Sequence, residues 1–124
     1  MKNISIHDFI VSAAIESLST QCEDGSFPGG HNGPYNHLEM PARNTAHWLS
    51  VISYVLQSQD VSHDLKITLT DSAHKAVDYL LSEEVRPYGA SFHCRTVSNK
   101  DSCNGLIGQA WVIEGLIAAH HSLK

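Results

Sequence analysis

Positive charge is in short supply in this sequence. Eight Lys and Arg stand against thirteen Asp and Glu, a formal net charge of -5 at neutral pH, and no basic patch is visible. Nucleic-acid binding draws most of its free energy from cations that neutralise phosphates, so no nucleic-acid partner is expected. Long hydrophobic runs are missing too. Nothing approaches the roughly 18 apolar residues of a membrane span, and the opening "MKNISIHDFIVSAAIESLSTQ" is interrupted by Asp8 and reads as an amphipathic helix rather than a secretory leader. No membrane partner is expected. Cysteine is scarce: Cys22, Cys94 and Cys103 make an odd set without a C-x-x-C pair, which argues against a disulfide framework and for a reducing, cytoplasmic setting. Blocks of like charge and low-complexity tracts are also absent, and 42% hydrophobic with 17% charged residues is the balance of an ordinary globular protein.

What is present is a helical pattern. The 124 residues suit one domain, 1–124, with a single core. Ser5, with Asp8 three residues on, opens a first helix to about Thr20 in which Ile6, Phe9, Ile10, Ala13, Ala14 and Leu18 keep to one face. Asn44 or Thr45 caps a second, with Trp48, Val51, Ile52, Val55 and Leu56 at i, i+3, i+4, i+7, i+8 spacing. A third covers at least Asp71 to Glu84, with its start open as far back as Ser62. The fourth, about Asn104 to His121, is apolar nearly all round, which predicts burial on several sides. The expected fold is all-α: two antiparallel α-hairpins whose core includes Phe9, Ile10, Trp48, Ile52, Val55, Val77, Leu80, Leu81, Ile113 and Leu116.

A short link near "QSQDVS" joins helices two and three, whereas long loops, about Gln21 to Arg43 and Arg86 to Cys103, join one to two and three to four. In an up-down-up-down bundle the first and third connections fall at the same end, so the two long loops share a face. Loops of this length in a compact domain are usually functional or disordered. The halves also show a faint repeat. "SFPGGH" and "SFHCRT" follow helices one and three, and "TAHW" and "GQAW" open helices two and four, so that Trp48 and Trp111 are equivalent positions. Matches this short are also within reach of chance.

Paired helices whose loops carry Q-x-x-x-G-S-F (Gln21, Gly25, Phe27) resemble the α/α toroids, the squalene-cyclase and prenyltransferase group and the six-hairpin sugar-processing enzymes. The likeness spans most of the chain as helix pattern and about ten residues as motif. Two departures stand out: this chain has two hairpins where such toroids close with five to seven, and the aspartate-rich motif of the cyclases is missing. What the resemblance implies is a two-hairpin fragment of that architecture, with substrate bound at the loop end over the N-termini of the inner helices. It carries over no catalytic residue.

The loop face holds the candidate chemistry. All three arginines, Arg43, Arg86 and Arg95, lie in or beside the long loops. A guanidinium fork and two helix N-termini on one face suit an anionic or hydroxyl-rich small molecule. The competing reading is that these arginines only pin the loops through Glu39, Asp101 or Glu84. Ligand-facing candidates are Phe27, His31, Tyr35, Arg43, Trp48, Phe92, Arg95 and Gln109, with Phe27, Tyr35 and Phe92 as stacking surfaces. The acid/base candidates are His47, Glu39 and Asp101, followed by Asp24 and Glu114; His47 sits one turn into helix two, an imidazole able to take a proton at the mouth of the face. Glu114, inside an apolar helix, must be paired or protonated. His31, His37 and His93 with the three cysteines are possible zinc ligands, but their spacings match no ligand box, and no metal or cofactor is implied. Cys94 with His93 or His31 as base lacks an acidic orienter. "DGSFPGGHNGPY" is turn chemistry rather than a phosphate loop. Two functions remain: a saccharide-like or anionic small-molecule binding module, with or without catalysis, and a homo-oligomeric assembly protein that buries the fourth helix against a second copy.

Overall fold

A computed structural model describes residues 3–32, 37–38, 40–103 and 105–124, apart from the side chains of residues 31, 32, 37 and 38. Four helices carry the fold: α1 (Ile6–Leu18), α2 (Pro41–Gln57), α3 (His63–Leu81) and α4 (Gly105–Ser122). Between α1 and α2 the loop contains a two-residue antiparallel ribbon, β1 (His31–Asn32) and β2 (His37–Leu38), pairing His31 with Leu38 and Asn32 with His37. No helix among the described residues is long and apolar enough to cross a membrane. The architecture is the expected all-α pair of hairpins.

The caps follow the sequence in two cases. Ser5 accepts from the Asp8 N-H at 3.0 Å and Ser62 from the Leu65 N-H at 3.3 Å, so α3 takes its longer reading and begins at once after Ser62. Helix α2 departs from expectation. It starts at Pro41, three residues before Asn44, because proline at the first helical position needs no N-H partner and already holds the helical φ. Asn44 and Thr45 are thereby released from capping. Their side chains tie down the preceding loop: Asn44 donates to the Pro28 carbonyl, and Thr45 Oγ1 accepts from the Phe27 N-H at 2.9 Å.

Helix α2 is the centre of the molecule, packing most extensively on α4, then on α3 and α1. Arg43 and His47 lie against Trp111, and Ala46 against Gly115, so α2 and α4 run side by side in the same direction with their N-termini together. The contact depends on small residues. Gly108, Val112, Gly115 and Ala119 form the buried stripe of α4, and α2 offers Ala42, Thr45, Ala46, Leu49 and Ser53. A β-carbon at Gly115 would lie 2.5 Å from the Ala46 carbonyl oxygen and 2.9 Å from its Cα. Gly115→Ala gains up to about 1 kcal/mol of helix propensity, but the obstacle is backbone and cannot swing away. We expect a net loss of roughly 1 to 3 kcal/mol, measurable by urea unfolding; unchanged or raised stability would show that the two helices can separate without cost.

The core confirms part of the expected set and corrects the rest. Ile52, Val55 and Leu80 are fully buried, and Ile10, Trp48, Val77 and Leu116 pack against the core from its edge. Phe9, Leu81 and Ile113 are exposed, at 67%, 46% and 47%. On α1 the buried positions are Ala14 and Ser17, and Phe9 lies on the flank. On α4 the glycine stripe claims α2 and turns Ile113 to the opposite side. Burial of α4 on several sides is likewise overturned: Leu106, Ile107, Ile113 and Ile117 all face out of this chain.

Candidate functional site

The two long loops do meet at one end, where the Met40 N-H donates to the Cys94 carbonyl at 3.3 Å. Each is held by a staple of related design. In the first, the Gln21 amide donates at 3.0 Å to both the Gly25 and Ser72 carbonyls, joining the loop to α3. Gly25 takes a φ of +90° while its α-carbon presses on the Lys75 backbone. Asp24 accepts from the Ser26 N-H and hydroxyl at 2.9 and 2.7 Å, closing the turn. Phe27 then enters the core with no exposed surface.

In the second loop Phe92 is also buried. Its N-H donates to Gln109 Oε1 at 2.6 Å, while Gln109 Nε2 donates to the Phe92 and Cys103 carbonyls at 2.9 and 2.8 Å. Both phenylalanines therefore pass their N-H to a side chain in the first turns of the next helix, 18 residues on in one case and 17 in the other. This is a structural counterpart to the faint repeat. It also reassigns three candidates, because Phe27 and Phe92 are core residues rather than stacking surfaces, and the Gln109 amide is committed to loop backbone.

Asp101 changes role as well. Its two oxygens accept from the Cys103 and Gly105 N-H groups at 3.0 and 2.6 Å, at the entrance to α4. Those two backbone hydrogen bonds, with the Arg95 charge nearby, hold its carboxyl below the usual carboxylate range. A carboxylate so engaged is an anchor for α4 and unsuited to take up a proton. Asp24, bound into its turn, is a loop fastener. Arg86 donates from Nε and Nη2 to the Leu81 carbonyl at 3.2 and 2.6 Å and from Nη1 to Gly89 at 3.1 Å, pinning the chain after α3. Arg95 is half-buried in the second loop.

Glu114, expected deep in an apolar helix, is exposed. The Cys94 thiol is buried at 3.6 Å from the Phe92 carbonyl, away from solvent where a nucleophile would act. Among the described residues no group of three His, Cys, Asp or Glu side chains lies close enough to hold a metal ion. Glu39 and Tyr35, and the side chains of His31 and His37, lie outside the described residues. Away from the loops, burial raises the Tyr79 hydroxyl well above the ordinary phenol range, helped by the charges of Asp24, Glu84 and Cys22; it stays protonated and packs as core.

A cluster lies at the paired N-termini of α2 and α4, half-buried except for the exposed His47. The Arg43 guanidinium sits over the Trp111 ring, 5.1 Å from its centroid, and the His47 ring lies 5.5 Å from the same indole. Arg43 and His47 are one turn apart on α2, so both reach the same neighbour on α4. Trp48, half-buried like Trp111, instead packs on Phe27 at 6.1 Å, serving the loop anchor. Trp111 was absent from the ligand-facing set. The signal that points to it is its equivalence to Trp48 in "TAHW" and "GQAW", combined with parallel helices that bring only the second of the two indoles against Arg43 and His47. The indole thus carries a guanidinium over its ring and an imidazole tilted beside it.

Comparison with curated proteins finds one similarity. The chain is similar to Archaeal glycosylation protein Q of Haloferax volcanii. The two are 45% identical over 119 residues, which is 96% of this chain and 31% of the relative. The chain thus spans about a third of the length of the curated relative it matches. No protein-family model matches the sequence, and no solved structure matches it.

Proposed function

We propose that this chain contributes a small-molecule binding face, for a saccharide-like or anionic ligand, built from Arg43, His47 and Trp111 at the paired N-termini of α2 and α4. The observation that carries the reading is the Arg43–Trp111–His47 group, with the guanidinium over the indole and the imidazole tilted beside it. An indole face suits the C-H face of a sugar ring, and the guanidinium suits a carboxylate or phosphate on it. The similarity to a protein named for glycosylation favours a sugar over other anions. Arg95 and the first loop would complete the rim. His47 is the one acid/base candidate among the described residues that is both exposed and in the cluster; it serves as base if the face is catalytic.

Calorimetric titration with neutral monosaccharides, uronic acids and sugar phosphates tests this. Arg43→Ala is expected to weaken anionic ligands by roughly 1.5 to 3 kcal/mol, the range for hydrogen bonds to charged groups, and to leave neutral sugars nearly unchanged. Trp111→Ala should weaken both. His47→Ala separates the roles, since unchanged affinity with lost turnover makes it a base. Absence of binding by any of these ligands, or equal affinities across the variants, would discard the reading in favour of assembly. That second reading rests on a separate observation, the exposed apolar side of α4.

A further inference from the structure

Two of the three cysteines stand at the ends of the turn that closes the second long loop, and their backbones are tied together. The Cys94 and Arg95 N-H groups both donate to the Ser102 carbonyl, at 2.8 and 3.0 Å. Cys103 follows that carbonyl directly, so planar peptide geometry holds the α-carbons of Cys94 and Cys103 no farther apart than about 7 Å. Disulfides span α-carbon separations of about 4.4 to 6.8 Å. The side chains share a neighbour as well. The Cys94 thiol lies 3.6 Å from the Phe92 carbonyl, and Gln109 Nε2 donates both to that carbonyl and to the Cys103 carbonyl, at 2.9 and 2.8 Å. The Cys94 sulfur is therefore on the side of the loop where Cys103 leads into α4. Exposure separates the two: Cys103 is half-buried, its sulfur 3.9 Å from the Ser102 hydroxyl, whereas Cys94 is buried. Cys22 belongs to the other loop, where its backbone closes a turn with Ser26 and Gly25.

We propose that Cys94 and Cys103 form a reversible dithiol–disulfide pair, a redox-sensitive clasp on the second loop. With glutathione disulfide as oxidant, the more accessible Cys103 reacts first. Its thiolate attacks one glutathione sulfur, a mixed disulfide forms, and one glutathione leaves as a thiolate that takes up a proton. The Cys94 thiol then gives up its proton and its sulfur attacks the Cys103 sulfur, which forms the Cys94–Cys103 bond and releases the second glutathione. Two protein thiols are oxidised to one disulfide while one glutathione disulfide is reduced to two thiols. The second attack takes place within the protein, so the burial of Cys94 does not impede it. The bond acts on the loop face because each cysteine already holds one side of that face. The Cys94 carbonyl accepts from the Met40 N-H at the N-cap of α2, and the Cys103 carbonyl accepts from Gln109 in the first turns of α4. Joining the two ties the starts of both helices to one covalent loop.

Incubating the full folded chain with glutathione disulfide and then with dithiothreitol tests the proposal, read by peptide mass mapping and by thermal unfolding. Cleavage after Lys75, Arg95 and Lys100 places Cys94 and Cys103 on different tryptic peptides, 76–95 and 101–124, with Cys22 on a third. The oxidised protein is expected to yield the first two peptides joined, less the mass of two hydrogen atoms, with Cys22 outside the linkage. It should melt roughly 5 to 10 °C above the reduced protein, as closing a loop of this length implies. Dithiothreitol should restore the separate peptides and the lower Tm. Cys103→Ser should abolish the difference between the two conditions, and Cys22→Ser should keep it. A bond running to Cys22 overturns the proposal. So does a glutathione adduct on Cys103 beside an unreacted Cys94, and so does an oxidised form no more stable than the reduced one.

Discussion

Phe27→Ala is expected to destabilise the protein by about 3 to 5 kcal/mol, the usual range for emptying a buried phenylalanine site. For a domain of this size that corresponds to a fall in Tm of roughly 10 to 20 °C. The ring is fully buried, rests on Trp48, and hangs from a backbone N-H bonded to Thr45. Phe27→Leu keeps most of the volume and should lose under about 1.5 kcal/mol. Thermal unfolding followed by circular dichroism measures both. If Phe27 were instead a surface on which a ligand stacks, the alanine variant would unfold with the parent and lose only affinity, and that result would reverse its assignment to the core.

The second large effect lies two residues away. Gly25→Ala meets two penalties together: a φ of +90°, which costs a residue with a β-carbon about 1 to 3 kcal/mol, and a β-carbon placed 2.1 Å from the Lys75 carbonyl oxygen. That oxygen is helix backbone, so relief requires the loop to lift from α3, breaking the Gln21 bonds to Gly25 and Ser72. The combined loss should be on the order of 4 kcal/mol. Gly30→Ala is the matched control. Its φ is +76° but nothing lies within 4 Å of the added carbon, so only the left-handed penalty of about 1 to 2 kcal/mol applies. Equal losses for the two variants in urea unfolding would mean that the contact with α3 contributes nothing.

Both predictions reinterpret the stretch that dominates the sequence. Gln21, Gly25 and Phe27 stand out because their types and spacing are unusual for a loop, and that alone does not say whether they face a ligand or the protein. The structure turns all three inward. The group that gathers beside the loop is Arg43–Trp111–His47, in which Trp111 comes from a second helix, 64 residues after His47. Two of the three were legible as candidates, since arginines gathered at loops and a histidine opening a helix are local facts. The third was not, because an indole near the start of a helix can face core, loop or solvent according to which neighbour arrives.

Local chemistry was enough to determine the four helices, the Ser5 cap and the long connections at one end. Periodicity and side-chain hydrogen bonding act over a few residues and need no knowledge of the rest of the chain. The tertiary structure alone decided which side of α4 is buried. That helix is apolar all round, so its own pattern prefers neither face; the choice falls to the glycines, which let α2 approach to backbone contact at Ala46 and leave Leu106, Ile113 and Ile117 outside. The same contact sets α2 and α4 parallel and brings Trp111 beneath Arg43. The depth of Phe27 and Phe92 was decided likewise, because their N-H groups find acceptors only once the following helix has packed beside the loop.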